Sequence, residues 1–401
     1  MTRVLLIATY SQALSAFIAP FAKFLEKKGY EVTLAASDEE LAGPSTFPQL
    51  KAEGFRVVVI PFTNRLLPHR DFQAARILRR ELKRERFDIV HTYTAKAGFI
   101  GRMVARSAGV PLVLHTAFSF PYLDSPEKAW LYLPLERLAT RACDHVFSIS
   151  ELGYQQACDL GVRPRAGISN PGIGLDLNRF GPMVDHGAAR TELGLPAGVP
   201  LIGTAARLVD HKRIDLFLEI AARVASAVEN ARFAILGKGP LYDDLVNQSE
   251  RLGLSEKVQF LKYLEHADDV VKYFRALDVF VLPTQREGFG LVFAEAMAQE
   301  TPVVGPDILP IRDIVADGET GFLVKPESLE EYTEAVTRLA LDPDLRRSFG
   351  GNGRERVLRH FDQRRSFEMM EQTYRELLSG LAGASLNKPG ANGYQRQSIE
   401  S

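Results

Sequence analysis

The chain has 401 residues, 46% hydrophobic and 25% charged, with 49 Lys+Arg against 50 Asp+Glu and a formal charge of −1. That length exceeds what one hydrophobic core usually serves, so two domains of roughly 150–200 residues are expected, and the apolar content at near-zero net charge excludes disorder over most of the chain. Two Cys rule out a disulfide scaffold; Cys143 and Cys158 read as reduced, buried thiols of a cytosolic protein.

In chain order, a strand is expected at 4–8. Phe17, Ile18, Phe21, Phe24 and Leu25 then fall at helical spacing until Gly29. Tyr10, Ser11 and Gln12 interrupt the apolar opening, so it reads as strand and helix, not signal peptide. Further strands are expected at 32–35, 57–60, 89–91, 112–115 and 146–149, with helices near 71–86, 97–108, 127–141 and 151–160. This βαβ series implies a parallel sheet covered on both faces. The pattern lapses at 170–200, the candidate linker. A second series follows, with strands at 201–205, 233–236, 258–260, 279–282, 303–305 and 322–324. The reading is α/β, with domains 1–180 and 181–360, a returning helix at 361–380 and a disordered tail at 381–401. A cleft is expected at the carboxyl ends of the strands. No run of 18 uncharged apolar residues is present, so no membrane-spanning helix is expected.

Charge is uneven along the chain. Residues 1–180 carry 23 basic and 17 acidic side chains, and 181–401 carry 26 and 33. Eight Lys or Arg fall from Arg65 to Arg86, interspersed with Phe72, Ile77, Leu78 and Leu82. That pattern suggests an amphipathic helix suited to an anionic membrane surface, or a soluble helix with a charged outer face.

The strongest chemical signal is the loop 283–290 between a strand and a helix that opens near Leu291. Gly288 and Gly290 let backbone N–H groups approach an anion, and the helix N-terminus adds partial positive charge. Glu287 and Glu295 bracket this turn; repelled by phosphate, such carboxylates suit sugar hydroxyls. Arg207 and Lys212, after the first strand of the second series, suit two oxygens of a diphosphate. Together these residues point to a nucleoside-diphosphate site. No G-x-G-x-x-G follows the first strand, which argues against a dinucleotide oxidoreductase. Asp243-Asp244 and Asp268-Asp269 fall in helix-periodic stretches, so no catalytic metal is expected.

Glu287-x7-Glu295 within EGFGLVFAEAMA, TPVV (301–304), DGETGFLV (317–324), ARLVDHK (206–212) and LGKGP (236–240) resemble retaining glycosyltransferases of family 4 over roughly residues 1–380. The resemblance implies a GT-B fold: two Rossmann-like doubly wound parallel-sheet domains facing across a cleft, donor in the second and acceptor in the first. It also implies a metal-independent enzyme that moves a sugar, with retention of configuration, from a nucleoside diphosphate (UDP foremost) to a glycan or polyprenyl-linked hydroxyl in cell-surface polysaccharide synthesis. Nucleic acid is not among the expected partners, and the expected location is cytoplasmic, peripheral on the membrane's inner face.

Position by position, the resemblance assigns Arg207 and Lys212 to the donor diphosphate, Glu287 to donor-sugar hydroxyls and Glu295 to the ribose. Backbone groups of Gly288, Phe289, Gly290, Leu291 and Val292 complete the cradle, and residues 260–264, including Lys262 and Leu264, match the region lining the base. Lys262 replaces a usually small residue. In the first half, 91–98 and 101–111 resemble bacterial members that extend polyprenyl-linked or surface glycans. There Ser11 and Ser15 occupy a loop that is Gly-rich in many relatives, Phe118-Ser119 stands where many have His-Gly, and His115 lies three residues earlier. Ser11, Ser15, Lys96, His115 and Phe118 are therefore the acceptor-side candidates. A sugar-nucleotide epimerase and a non-catalytic sugar-nucleotide binder remain as alternatives.

Overall fold

The structure, a computed structural model, describes residues 1–39, 44–63, 67–118, 129–262, 264 and 268–384, with the side chains of 129, 131 and 382–384 excepted. Arg65, Ser119, Tyr263 and the tail from 385 lie outside the described residues. Two compact units result: residues 1–172 with 366–384, and 173–365.

The first unit contains β1 (Arg3–Tyr10), α1 (Ala19–Lys27), β2 (Glu31–Ser37), α2 (Phe47–Ala52), β3 (Arg56–Val59), α3 (Pro68–Glu85), β4 (Ile89–Tyr93) and α4 (Ala95–Ser107). It continues with β5 (Leu112–Ala117), α5 (Ala129–Arg141), β6 (His145–Ser148), α6 (Glu151–Asp159) and β7 (Ile168–Ser169). Its seven strands are parallel, in the order β3-β2-β1-β4-β5-β6-β7. Cys143 is buried as expected, but Cys158 is exposed, because on α6 it is the neighbouring Ala157 that turns to the core. The opening run VLLIA is apolar throughout because this strand is buried on both faces. Alternation sends Val4, Leu6 and Ala8 to one core with Phe21 and Leu25, and Leu5 and Ile7 to another with Leu78 and Leu82. Instead of a glycine loop, β1 runs into a short helix, Ser11–Ala13, and a π-helical turn, Leu14–Ile18, before α1.

The second unit holds α7 (Leu177–Phe180), α8 (His186–Glu192), β8 (Leu201–Ala205), α9 (Ile214–Ala227), β9 (Arg232–Leu236), α10 (Tyr242–Arg251), β10 (Val258–Leu261), α11 (Asp269–Ala276) and β11 (Val279–Val281). Then come α12 (Leu291–Ala298), β12 (Val303–Pro306), α13 (Leu309–Ile314), β13 (Gly321–Val324), α14 (Leu329–Leu341), α15 (Pro343–His360) and α16 (Gln363–Ala384), whose body returns to the first unit. Its six parallel strands take the order β10-β9-β8-β11-β12-β13. Two sheets of this kind, each with helices, make the α/β doubly wound reading correct. In each, the order reverses beside the first strand, at β1/β4 and β8/β11, the switch point where such sheets leave a crevice at the strands' carboxyl ends.

The stretch 173–200, expected as linker, is folded. Asp176 and Asp185 cap α7 and α8 by accepting from Asn178 N and Ala188 N. Buried Arg190 ties α8 down through Ala276 O, Val199 O and Asp278. The strands entering and leaving this unit are stapled together: Leu175 N donates to Phe361 O (2.7 Å) and Gln363 N to Leu175 O (3.0 Å). Gly174 permits this, since a Cβ there would lie 2.5 Å from Gln363 N.

α16 docks on the first sheet through Met370 and Tyr374, one turn apart. The Tyr374 hydroxyl lies 2.5 Å from His91 Nδ1, His91 Nε2 lies 2.7 Å from Thr116 Oγ1, and Tyr30 donates to Glu371 (2.9 Å). Burial depresses the His91 pKa well below the ordinary imidazole value, so this network is built around a neutral ring.

Candidate functional site

At the β8/β11 switch point, two loops are sewn together. After β8 the chain crosses residues 206–208, where Leu208 N donates to Lys238 O (3.0 Å). Gly237 and Gly239 allow that approach; a Cβ would stand 2.0 Å from Ala206 O and 2.3 Å from Leu208 O. A 3-10 turn, Asp210–Lys212, follows. After β11, Thr284 Oγ1 lies 3.0 Å from both His211 O and Arg286 O, and Gln285 N donates to His211 O (2.9 Å). The two loops thus share one carbonyl.

The consequence is a close ion pair between Lys212 Nζ and Glu287 Oε1, both side chains largely covered, at 15% and 11% exposure. Arg213 takes φ +52°, turns away and pairs with Asp215 and Glu327. The Arg207 side chain is exposed and has no hydrogen-bond or ion-pair partner among the described residues. One cation is therefore pre-engaged by a carboxylate and a second stands open to an incoming anion.

Gly290 (φ +95°) caps α12, and a Cβ there would meet Ile311 Cδ1 at 2.6 Å, so both conformation and space demand glycine. Gly288 is exposed and Phe289 buried, its ring edge-on to Phe361 at 6.1 Å. Leu291 and Val292 are half-buried on the first turn, and Phe293, Ala294, Ala296 and Met297 are buried.

Glu295 lies one turn further, half-buried, and its carboxylate accepts no hydrogen bond among the described residues. Burial pushes its pKa up to about 7, against the attraction of Arg179. Arg179 was not singled out in the sequence. It belongs to α7, which is held to the end of α12 by Gln299 Nε2 donating to Phe180 O (2.6 Å). Its signal was the Asp176 cap, which marks a helix inside a Pro/Gly-rich stretch.

Two strands away, at the end of β10, Lys262 is exposed with its ammonium 4.0 Å from the Tyr242 ring centroid, and Leu264 is half-buried. Arg207, Lys212, Glu287, Glu295 and Lys262 thus all sit at the carboxyl end of the second sheet or on the helix that starts there. This end offers donors and a helix N-terminus to an anion, and carboxylates to hydroxyls.

The first-unit candidates are mostly committed internally. Ser11 is buried, its Oγ accepting from Thr46 N (3.1 Å) and its carbonyl from Thr46 Oγ1 (2.7 Å). His115 is buried against Gly98, with Nδ1 3.0 Å from Thr92 Oγ1, and burial beside Arg102 pushes its pKa well below the usual value. Lys96 donates to Asp71 (2.8 Å) and Thr63 (3.2 Å). Phe118 packs on Phe17 and Tyr93, with centroids at 5.6 and 5.9 Å. Ser15 is half-buried in the π turn. Among the described residues, no group of three or more His, Cys, Asp or Glu is placed to hold a metal ion.

Residues 185–356 match the family model "Glycosyl transferases group 1", and residues 14–169 match "Glycosyl transferase 4-like domain". The chain is 30% identical over 328 residues to D-inositol 3-phosphate glycosyltransferase of Nocardia farcinica, covering 77% of this chain and 69% of that one. It is 27% identical over 324 residues to UDP-Gal:alpha-D-GlcNAc-diphosphoundecaprenol alpha-1,3-galactosyltransferase of Escherichia coli, covering 77% and 80%. Among solved structures, Anabaena HepE in complex with UDP and glucose superposes with a TM-score of 0.78 at 18% identity, over 94% of this chain and all of that one.

Proposed function

This chain belongs to the group 1 glycosyltransferases, and from that premise we propose that it moves a sugar from UDP to a hydroxyl of a glycan or polyprenyl-diphosphate-linked glycan, with retention of configuration, in building a cell-surface polysaccharide. The observation that carries the donor site is the covered Lys212–Glu287 pair, together with the exposed Arg207 on the same loop after β8, at the β8/β11 switch point. The UDP in the name of the Escherichia coli relative and in the HepE complex supports the choice of nucleotide, and the diphosphoundecaprenol in the former supports the acceptor.

As the bond to the diphosphate breaks, negative charge grows on the leaving oxygens while the anomeric carbon becomes oxocarbenium-like. Arg207, Lys212 and the N-terminus of α12 oppose that charge from fixed positions, which takes the place of a metal ion in this reading. Glu287 accepts from donor-sugar hydroxyls, and Lys212, its partner, couples sugar placement to diphosphate placement. Glu295 accepts from the ribose, and Lys262 on Tyr242 borders the base. No side chain is assigned as covalent nucleophile; the acceptor attacks on the leaving-group face and passes its proton to the departing phosphate oxygen. Acceptor binding falls to the first unit, which works at the inner membrane surface; no helix among the described residues is long and apolar enough to cross a membrane.

Lys212→Ala and Glu287→Ala should each lower transfer from UDP-sugars by about 100-fold or more, with the circular dichroism melting curve still cooperative. Full transfer by either variant contradicts the assignment. Conversion of the donor without acceptor points instead to an epimerase.

A further inference from the structure

We propose that the outer face of the α3-α4-α5 layer is a docking surface for an anionic lipid bilayer, built from two matching stripes of exposed residues. The notion rests on the lipid-linked acceptor proposed above, but the surface itself is read from side-chain placement.

The apolar side of α3 is not available to a membrane. Ala74, Leu78 and Leu82 are buried in the unit's own core and half-buried Ile77 packs against it, so the helix does not insert by its apolar face as an amphipathic anchor would. Besides Pro68, His69, Gln73 and Arg84, it exposes a stripe of five residues, Phe72, Arg76, Arg79, Arg80 and Lys83. At 3.6 residues per turn these five fall within about 100° of arc. α5 exposes Trp130, Pro134, Arg137, Leu138 and Arg141, at the same intervals of four, seven, eight and eleven residues. Each stripe opens on an aromatic side chain at the start of its helix and ends on cations. Phe72 and Trp130 are 73% and 75% exposed.

The two stripes are in register. All three helices follow strands of one parallel sheet and run the same way. Lys96 pairs with Asp71, and Arg102, six residues on, pairs with Glu136, six residues past Trp130. Phe72 and Trp130 therefore lie at one level, separated by α4, roughly 20 Å apart at ordinary helix spacing. Half-buried Phe99 and Met103 of α4 lie between.

Among the described residues, the carboxylates of this layer are each paired with a cation. Asp71 is held by Lys96, Glu85 by Arg3 and Arg56, Glu136 by Arg102 and Asp144 by Arg106. Glu81 is buried, pairing with Arg84 at 2.7 Å and reaching Arg80 only at 3.9 Å. The two stripes are cationic and tipped with Phe and Trp, the combination that suits lipid headgroups with acyl chains just beneath. A partner offering phosphates alone has no use for Phe72, Trp130 and Leu138.

The test uses the full chain and vesicles of equal parts phosphatidylglycerol and phosphatidylcholine, against phosphatidylcholine alone. Co-sedimentation should occur with the anionic vesicles only and weaken with salt. Trp130 is the chain's single tryptophan, so its emission should shift to shorter wavelength on binding. Arg76→Glu, Arg80→Glu and Lys83→Glu combined should weaken vesicle binding by roughly 100-fold or more, with UDP binding, read by calorimetry, unchanged. Equal binding to both vesicles, undiminished binding by the reversed variant, or retention of polyphosphate but not vesicles would each overturn the proposal. Lost UDP binding in the wild-type chain would instead overturn the donor-site reading, so the two failures are separable.

Discussion

Glu295 sits where a carboxylate is poorly served, half-buried on an apolar helix with Arg179 as its opposing charge. Its folded pKa of about 7 lies above the ordinary 4.5, so the folded state takes up the proton more readily than the unfolded one. The stability this gives is full below the unfolded value and is lost as pH rises through the folded one. Glu295→Gln should therefore melt higher than wild type near neutral pH, and the difference should shrink on acidification toward about pH 4.5; a pH-independent difference contradicts this. If Glu295 accepts from the ribose as proposed, donor affinity should run the opposite way, rising through pH 7 as Glu295 ionises, and calorimetric titration with UDP at several pH values reads it. The Glu287/Glu295 spacing was legible because a strand, a Gly loop and a helix start bracket it locally. Ser11 and His115 were not, because their partners Thr46 and Thr92 are distant in sequence and become neighbours only in the sheet.

At the scale of elements, Gly290 and Gly174 are among the glycines whose geometry a side chain would break. Gly290→Ala would place a Cβ 2.6 Å from Ile311 at φ +95°. Backbone strain of about 1–3 kcal/mol adds to that clash, so both melting temperature and donor affinity should fall. Gly174→Ala would press on backbone, Gln363 N at 2.5 Å, and part the staple between the entering and leaving strands. It should destabilise the second unit, read as a lowered melting temperature, while Gly29→Ala, where space is open, is limited to strain at φ +89°. Strands were legible because parallel strands buried on both faces are continuous apolar runs. β7, at two residues, is too short to leave such a run, and α7 and α8 were hidden because Pro and Gly around them read as linker. The fate of the apolar side of α3 was also beyond the sequence: periodicity marks a face for burial but does not say against what.

For the whole molecule, the net charge of −1 conceals two units with different tasks in this account. The basic half carries the paired stripes, and in the acidic half Arg207, Lys212 and Lys262 gather at the carboxyl end of one sheet. The doubly wound architecture was legible from the two βαβ series, and the return of α16 from its apolar spacing. Its anchorage was not, since the His91–Tyr374 contact joins residues far apart in the chain. Tyr374→Ala should cost about 3–5 kcal/mol by cavity and lost hydrogen bond together, measurable in urea melts. The central claim, retaining transfer driven by protein cations, is tested most directly by proton NMR of the product formed from an α-linked UDP-sugar and a polyprenyl-diphosphate-linked acceptor in the presence of EDTA. The account predicts a product with the small anomeric coupling of an α-linkage, formed at an undiminished rate and absent with Lys212→Ala. A β-linked product, or transfer abolished by EDTA and restored by a divalent cation, would contradict it.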